Sequence, residues 1–200
     1  QLKILTARPS RIEQKNIKHH MYGSVELNKK FSTGQWLKVA IKKIKEIKKR
    51  KKIPILVGGT GLYFQSLISG LVKIPEIPTK FRNKIRLIQK KEGQKKFYKK
   101  LLKIDPNAKD KFDPNDTQRT IRAFEIKSFT KISMYEWLKK TQSEFKEEEF
   151  LKLYIDFKRE DLIKKISLRT IKMIEEGAIK EVKKFIKLRI KKDLNVNRVI

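Results

Sequence analysis

The sequence contains no cysteine, only two histidines and only eight glycines among its 200 residues. The absence of cysteine excludes disulfide bonds and thiolate metal sites. Although His19 and His20 are adjacent, two histidines without other soft ligands do not predict a transition-metal centre. No apolar run approaches the roughly 20 residues that a bilayer-spanning helix needs, and no signal peptide is visible. We therefore expect a cytoplasmic protein with no membrane span.

Negative charge is also scarce, because 52 Lys and Arg face 22 Asp and Glu, which gives a formal net charge of +30. Such a balance is typical of proteins that bind nucleic acid. However, 41 of the basic residues are lysines and only five residues are alanine, a usage that an A/T-rich genome also produces. The charge therefore permits an RNA partner without identifying one.

With 38% hydrophobic residues, a chain of this length can form one globular domain with a core, or a core with a small insertion. Residues 1–30 contain little periodic pattern, and we expect them to be irregular. Two short apolar runs, 53–57 and 153–157, are typical of buried strands. Helical periodicity and capping signals predict helices at about 34–50, 79–91, 93–103, 114–129, 133–140, 160–176 and 178–189, and a further helix that ends near Gly70. This order favours an α/β core that carries a helical insertion.

Three of the eight glycines cluster in VGGTGLYFQSL at 57–67, directly after the predicted strand 53–57. A glycine turn from a strand into a helix exposes backbone N–H groups at a helix N-terminus, where anions bind. The alternative is a tight turn that binds no ligand. This stretch alone leaves both interpretations open.

A second informative stretch is DPNDTQRTIR at 113–122. Asp113 can cap the predicted helix, and Pro114 suits its first position. Gln118 and Arg122 are four residues apart and Arg119 lies between them, so the three side chains can share a surface. Guanidinium and carboxamide groups suit phosphates and base edges. The alternative is an exposed helix face with ordinary ion pairs.

Arg169 is the third candidate, on the predicted helix 160–176. It borders an apolar stripe that includes Leu162, Ile166 and Met173. A guanidinium at the rim of a core needs an anionic partner, because burying it unpaired is costly. That partner is either a carboxylate of the protein or a ligand diphosphate.

Taken in order, these stretches resemble motifs of the tRNA dimethylallyltransferase family, also called tRNA isopentenyltransferases. The matching segments are TARPS at 6–10, HHMYG at 19–23, IPILVGGTGLYFQSLISGL at 53–71, DPNDTQRTIRAFEI at 113–126 and LIKKISLRTIKMIEEGAIKEV at 162–182. The resemblance implies a P-loop-kinase-like α/β fold, with a partial parallel sheet and helices in 1–72 and 151–200 and a helical, tRNA-binding insertion in 73–150.

The resemblance also implies an activity, a set of partners and a set of site residues. The reaction would transfer a dimethylallyl group from dimethylallyl diphosphate to N6 of the adenosine 3′-adjacent to the tRNA anticodon, with Mg²⁺ as cofactor and a monomeric enzyme. Arg169 would hold the diphosphate, Thr60 would act at the catalytic site and contact tRNA, and Arg82 would contact tRNA. The remaining tRNA-binding residues would be Gln118, Arg119, Thr120, Ile121 and Arg122.

Two departures from the family pattern limit what this chain is expected to do alone. The family's phosphate-binding loop, its Mg²⁺ ligands and its general-base aspartate are expected before position 1, so we expect an internal fragment that is inactive in isolation. Lys165 and Asp113 stand where many family members have Arg and His. One alternative is a non-catalytic RNA-binding module of the same fold. Another is a small-molecule kinase relative, but the QRTIR block at 118–122 argues against a kinase.

Overall fold

The computed structural model describes residues 2–29 and 31–190, and within these ranges its regular elements are helices. Contacts divide the chain into two compact units, one formed by Gln1–Phe64 with Glu148–Ile200 and the other by Gln65–Glu147. The helices are α1 (Arg11–Asn16), α2 (Thr33–Lys49), α3 (Gly61–Ile68), α4 (Thr79–Glu92), α5 (Gln94–Ile104), α6 (Thr117–Thr130), α7 (Met134–Lys139), α8 (Arg159–Glu175) and α9 (Ala178–Lys187), with 3₁₀ turns at Pro106–Ala108 and Glu147–Glu149.

Each helix predicted from periodicity is present, with ends within about three residues of those expected. Helix α1 was not expected, since residues 1–30 were predicted to be irregular. It is fixed by a capping box: the Glu13 N–H donates to Ser10 Oγ (3.2 Å), and the Ser10 N–H donates to Glu13 Oε2 (2.7 Å). The Ser-x-x-Glu signature of this motif was visible in the sequence.

The two predicted strands form no ladder within the described residues. The side chains of Ile53, Ile55 and Val57 are more than three-quarters exposed, and so are those of 153–155. A strand requires a neighbour that accepts and donates its backbone hydrogen bonds, and neither segment has one here. The sheet of the α/β prediction is therefore not observed in the described part of the chain, and residues 191–200, which that prediction assigned to the core, lie outside it.

In the first unit, buried residues on α2 and α9 include Ala40, Ile44 and Phe185. Glu181 on α9 binds the start of the chain, where its carboxylate accepts backbone N–H groups of residues 3–5 at 2.6–3.3 Å. The segment that leads into TARPS is therefore fastened to α9 by a side chain rather than by a strand.

The second unit is a helical bundle in which α4, α5 and α6 pack together. Phe97, Leu101 and Ile126 are fully buried in it. The bundle also contains a buried polar pair, in which Ser133 Oγ donates to Oδ2 of Asp105 at 2.9 Å. Among the described residues no helix is long and apolar enough to cross a bilayer.

Candidate nucleic-acid interface

The start of α6 differs from the prediction by three residues. Asp116, not Asp113, is the N-cap, and its Oδ1 accepts the Arg119 N–H at 2.9 Å. Asp113 instead stabilises the preceding turn, where its Oδ1 accepts the Asn115 N–H at 2.7 Å. Capping by Asp113 was therefore wrong, because a second aspartate three residues later competes for the same role. The consequence is that Gln118 and Arg119 lie in the first turn of the helix.

Helical periodicity divides the block 118–122 into an exposed and a buried set. Gln118 and Arg119 are exposed, and the Arg122 side chain is 42% exposed. Thr120 and Ile121 are buried in the bundle, where Thr120 Oγ1 donates to the Asp116 carbonyl (2.8 Å) and accepts from Gln94 Nε2 (2.9 Å). The side chains that can reach a ligand from this block are therefore Gln118, Arg119 and Arg122.

Arg82 on α4 and Arg122 on α6 converge on one buried carboxylate. Glu125, 1% exposed, accepts on Oε2 from Arg82 Nε at 3.2 Å and from Arg122 Nη1 at 3.5 Å. Arg86 Nε lies 3.8 Å from Oε1 of the same residue. Glu125 and Arg86 were not among the predicted site residues, although an acid four residues after the buried Ile121 is an unusual occupant of an apolar helix stripe.

Thr60 lies in the glycine turn that precedes α3, and its side chain is exposed. Its carbonyl accepts the N–H groups of Tyr63 (3.0 Å) and Phe64 (3.5 Å), which starts the helix. Gly59 has no positive φ, and a Cβ added to it would meet nothing within 4 Å; the same holds for Gly61. Since neither backbone conformation nor packing requires these glycines, the turn leaves open space into which a ligand can fit.

Arg169 lies on α8, a helix without a buried residue. The apolar stripe beside it is exposed, with Leu162 at 44% and Ile166 at 54%, so the expected rim of a core is not observed. Among the described residues, Arg169 makes no ion pair with a carboxylate. A carboxylate partner was one of the two alternatives for this residue, and the described structure supplies none.

The described residues provide no site for a metal ion, because no group of three or more His, Asp or Glu side chains comes together in residues 2–29 and 31–190. His19 Nδ1 lies 2.7 Å from the Ile17 carbonyl oxygen. Burial, followed by the charge of Lys43, lowers the pKa of His20. His19 and His20 do not fit Mg²⁺, and we assign no step of the reaction to that ion.

Comparison with known proteins agrees with these motifs. The sequence model of the IPP transferase family matches residues 1–200. The chain therefore belongs to the IPP transferase family. A tRNA dimethylallyltransferase of Pelagibacter ubique is 75% identical over 199 residues, which cover 100% of this chain and 64% of that protein. One from Rickettsia canadensis is 40% identical over 183 residues, 90% of this chain and 55% of that protein.

Two solved structures of transferases are also similar to this chain. The full-length tRNA isopentenylpyrophosphate transferase of Bacillus halodurans is 28% identical with a TM-score of 0.59, over 97% of this chain and 59% of that one. A eukaryotic dimethylallyltransferase studied while acting on tRNA is 27% identical with a TM-score of 0.79, over 99% of this chain and 49% of that one. The chain thus spans about half to two-thirds of the length of these relatives.

Proposed function

We propose that this chain acts within a tRNA dimethylallyltransferase, which transfers a dimethylallyl group from dimethylallyl diphosphate to N6 of the adenosine 3′-adjacent to the anticodon. The observation that carries the proposal is the surface of Gln118, Arg119 and Arg122 on α6, beside which Arg82 is held through Glu125. Family membership and the names of the relatives support the reaction.

The proposed role of this surface is to bind the anticodon stem-loop. Sequence-specific RNA recognition targets unstacked bases in loops, which are bound through hydrogen bonds to their edges. Gln118 offers both a donor and an acceptor, and Arg122 offers a planar fork of donors. Thr60, on the exposed glycine turn, is proposed to contact the RNA near the reacting nucleotide.

The reacting adenosine must leave the anticodon stack to present its amine, as in other enzymes that act on a base. A bond then forms between N6 and the allylic carbon, the bond from that carbon to the diphosphate oxygen breaks, and N6 loses a proton. Negative charge accumulates on the departing diphosphate. Arg169, exposed and without a carboxylate partner in the described residues, is proposed to stabilise that charge.

The finer description of the fold also belongs to this proposal. Exposed apolar side chains at 53–57 and 153–157 are typical of strands that belong inside a parallel sheet. We propose that these segments join such a sheet in a P-loop-kinase-like core. A monomeric, cytoplasmic enzyme that uses Mg²⁺ is the corresponding proposal for the whole protein.

The proposed recognition is tested by binding of the 200-residue chain to two RNAs, an anticodon stem-loop with adenosine 3′ of the anticodon and an unrelated stem-loop. Gln118→Ala combined with Arg122→Ala is expected to weaken the first complex by about 1–3 kcal/mol per lost base contact. The second complex should change much less, and the salt slope should fall by about one unit for the lost arginine.

The matched control replaces Lys42 and Lys49 by Ala on the exposed face of α2, which should weaken both RNA complexes equally. Equal weakening of both complexes by the Gln118/Arg122 variant would show that the block is only a phosphate clamp. Selective binding without transfer in a full-length context would favour the non-catalytic module.

A further inference from the structure

Three guanidinium groups lie within 3.8 Å of the Glu125 carboxylate, although Glu125 is itself removed from solvent. Its side chain is 1% exposed, while those of Arg82, Arg86 and Arg122 are 40%, 53% and 42% exposed. Arg82 and Arg86 lie one helical turn apart on α4, and Arg122 lies on α6. The buried carboxylate therefore lies beneath a cationic surface that is built from two helices.

The charges in this cluster do not balance. One carboxylate faces three cations, which leaves a local excess of two positive charges in a partly buried setting. Arg82 and Arg86 approach Glu125 through Nε, and their terminal Nη groups form no hydrogen bond with another side chain or carbonyl in the described part of the chain. Oε1 of Glu125 is buried and also has no donor within hydrogen-bond distance in the described part of the chain. An anion placed among the guanidinium groups would relieve their mutual repulsion and use the unpaired donors.

A purely structural ion pair between α4 and α6 explains the cluster less well. The two helices already pack through a hydrophobic cluster that contains Ile85, Phe97 and Ile121. Buried ion pairs contribute little net stability, and one arginine would suffice to compensate one carboxylate. The second and third arginines therefore need another reason to be there.

We infer that Glu125 is a positioning residue that orients Arg82 and Arg86 to bind a backbone phosphate of RNA as a single site, while the same carboxylate orients Arg122 for its proposed base contact. This inference rests on the proposed tRNA function and adds Arg86 and Glu125 to its residues. It makes an unusual prediction about charge. Removing the negative charge of Glu125 makes the surface more positive, yet it should weaken RNA binding because the guanidinium groups lose their common orientation.

The test measures binding of the 200-residue chain to the anticodon stem-loop and to the unrelated stem-loop over a series of salt concentrations. Glu125→Gln keeps the shape of the side chain, and we expect about tenfold weaker binding to both RNAs with a salt slope smaller by about one unit. Glu136→Gln is the matched control, since it removes the same charge from an exposed pair with Lys139. It should leave binding unchanged or slightly tighter.

A second variant keeps the test decisive if Glu125→Gln fails to fold, which its thermal unfolding curve will show. Arg86→Lys retains the positive charge on a half-exposed side chain but removes the planar fork of donors. We expect about fivefold weaker binding with an unchanged melting temperature. Wild-type affinity in Arg86→Lys, or in folded Glu125→Gln, would overturn the inference alone. A wild-type chain that binds both RNAs equally would contradict the proposed recognition instead, and one that binds neither would overturn both.

Discussion

The indole ring of Trp36 and the ring of Tyr63 stack with centroids 4.4 Å apart and planes 6° from parallel. This contact joins α2 to α3, the helix that follows the glycine turn carrying Thr60. At Gly59 and Gly61 in this turn, an added Cβ would meet no atom within 4 Å. The aromatic pair therefore packs the start of α3 against α2.

Replacement of Trp36 by Ala should lower the free energy of unfolding by about 1–3 kcal/mol, since a half-buried aromatic contact is lost. Trp36→Phe retains a stacked ring and should recover most of that loss. Urea denaturation followed by circular dichroism measures both variants. A Phe variant as unstable as the Ala variant would show that stacking with Tyr63 is not what matters at this position.

Substitution by Ala is expected to affect the free energy of unfolding very differently at two glycines. Gly59→Ala should change the free energy of unfolding by less than about 0.5 kcal/mol, because the added methyl group meets no atom within 4 Å. Gly70→Ala should cost about 1–3 kcal/mol, because φ is +87° and the methyl group would collide with the Gln142 carbonyl.

The Gly59→Ala variant also separates an effect on folding from an effect on ligand binding. If a ligand fits over the turn at Gly59, the Gly59→Ala chain should remain as stable as the wild type yet bind the anticodon stem-loop or dimethylallyl diphosphate more weakly. Calorimetric titration with each ligand measures this. Unchanged affinity for both would mean that the open space at Gly59 is not used.

The pKa of Tyr135 predicts how the free energy of unfolding depends on pH in the alkaline range. Burial, assisted by the charge of Asp105, raises the pKa of Tyr135 from 10.0 to about 12. In the unfolded chain this phenol ionises near pH 10, whereas in the folded chain it stays neutral, so stability that is present below pH 10 is lost between about pH 10 and 12. Tyr135→Phe should therefore lose less stability than the wild type between pH 9 and 11.5.

Urea midpoints at several pH values measure this difference. Lysines titrate in the same range, but they do so in both proteins and cancel in the comparison. Tyr154→Phe, at an exposed ring, is the matched control and should follow the wild type. Identical pH profiles for Tyr135→Phe and the wild type would contradict the raised pKa of Tyr135.

Arg169 is tested in a chimaera in which this chain replaces the matching 199 residues of the Pelagibacter ubique relative. If Arg169 stabilises the leaving diphosphate, Arg169→Ala should lower turnover by roughly 10²–10³-fold. The melting temperature should not change, because no described carboxylate depends on this side chain. Arg159→Ala, also on α8, is the control and should retain both turnover and stability.

Sequence reasoning located the helices, because an apolar stripe with a 3.6-residue period depends only on local spacing. It did not locate the cluster around Glu125, because Arg82 reaches that carboxylate from 43 positions away along the chain. Thr120 and Ile121 were included in the predicted binding surface because they lie within the same motif. Helical periodicity instead places their side chains in the core. The strands at 53–57 and 153–157 were predicted from composition, but pairing depends on a partner that composition does not identify.

The most direct test of the central claim is transfer of labelled dimethylallyl by the purified chimaera to two tRNAs that differ only at the nucleotide 3′ of the anticodon. With adenosine at that position, we expect label in the tRNA and, after digestion to nucleosides, a dimethylallyl group on N6 of adenosine by mass spectrometry. With guanosine there, the tRNA should remain unlabelled. Equal labelling of both tRNAs, or no labelling by a folded chimaera when the Pelagibacter enzyme is active under the same conditions, would contradict the proposed function.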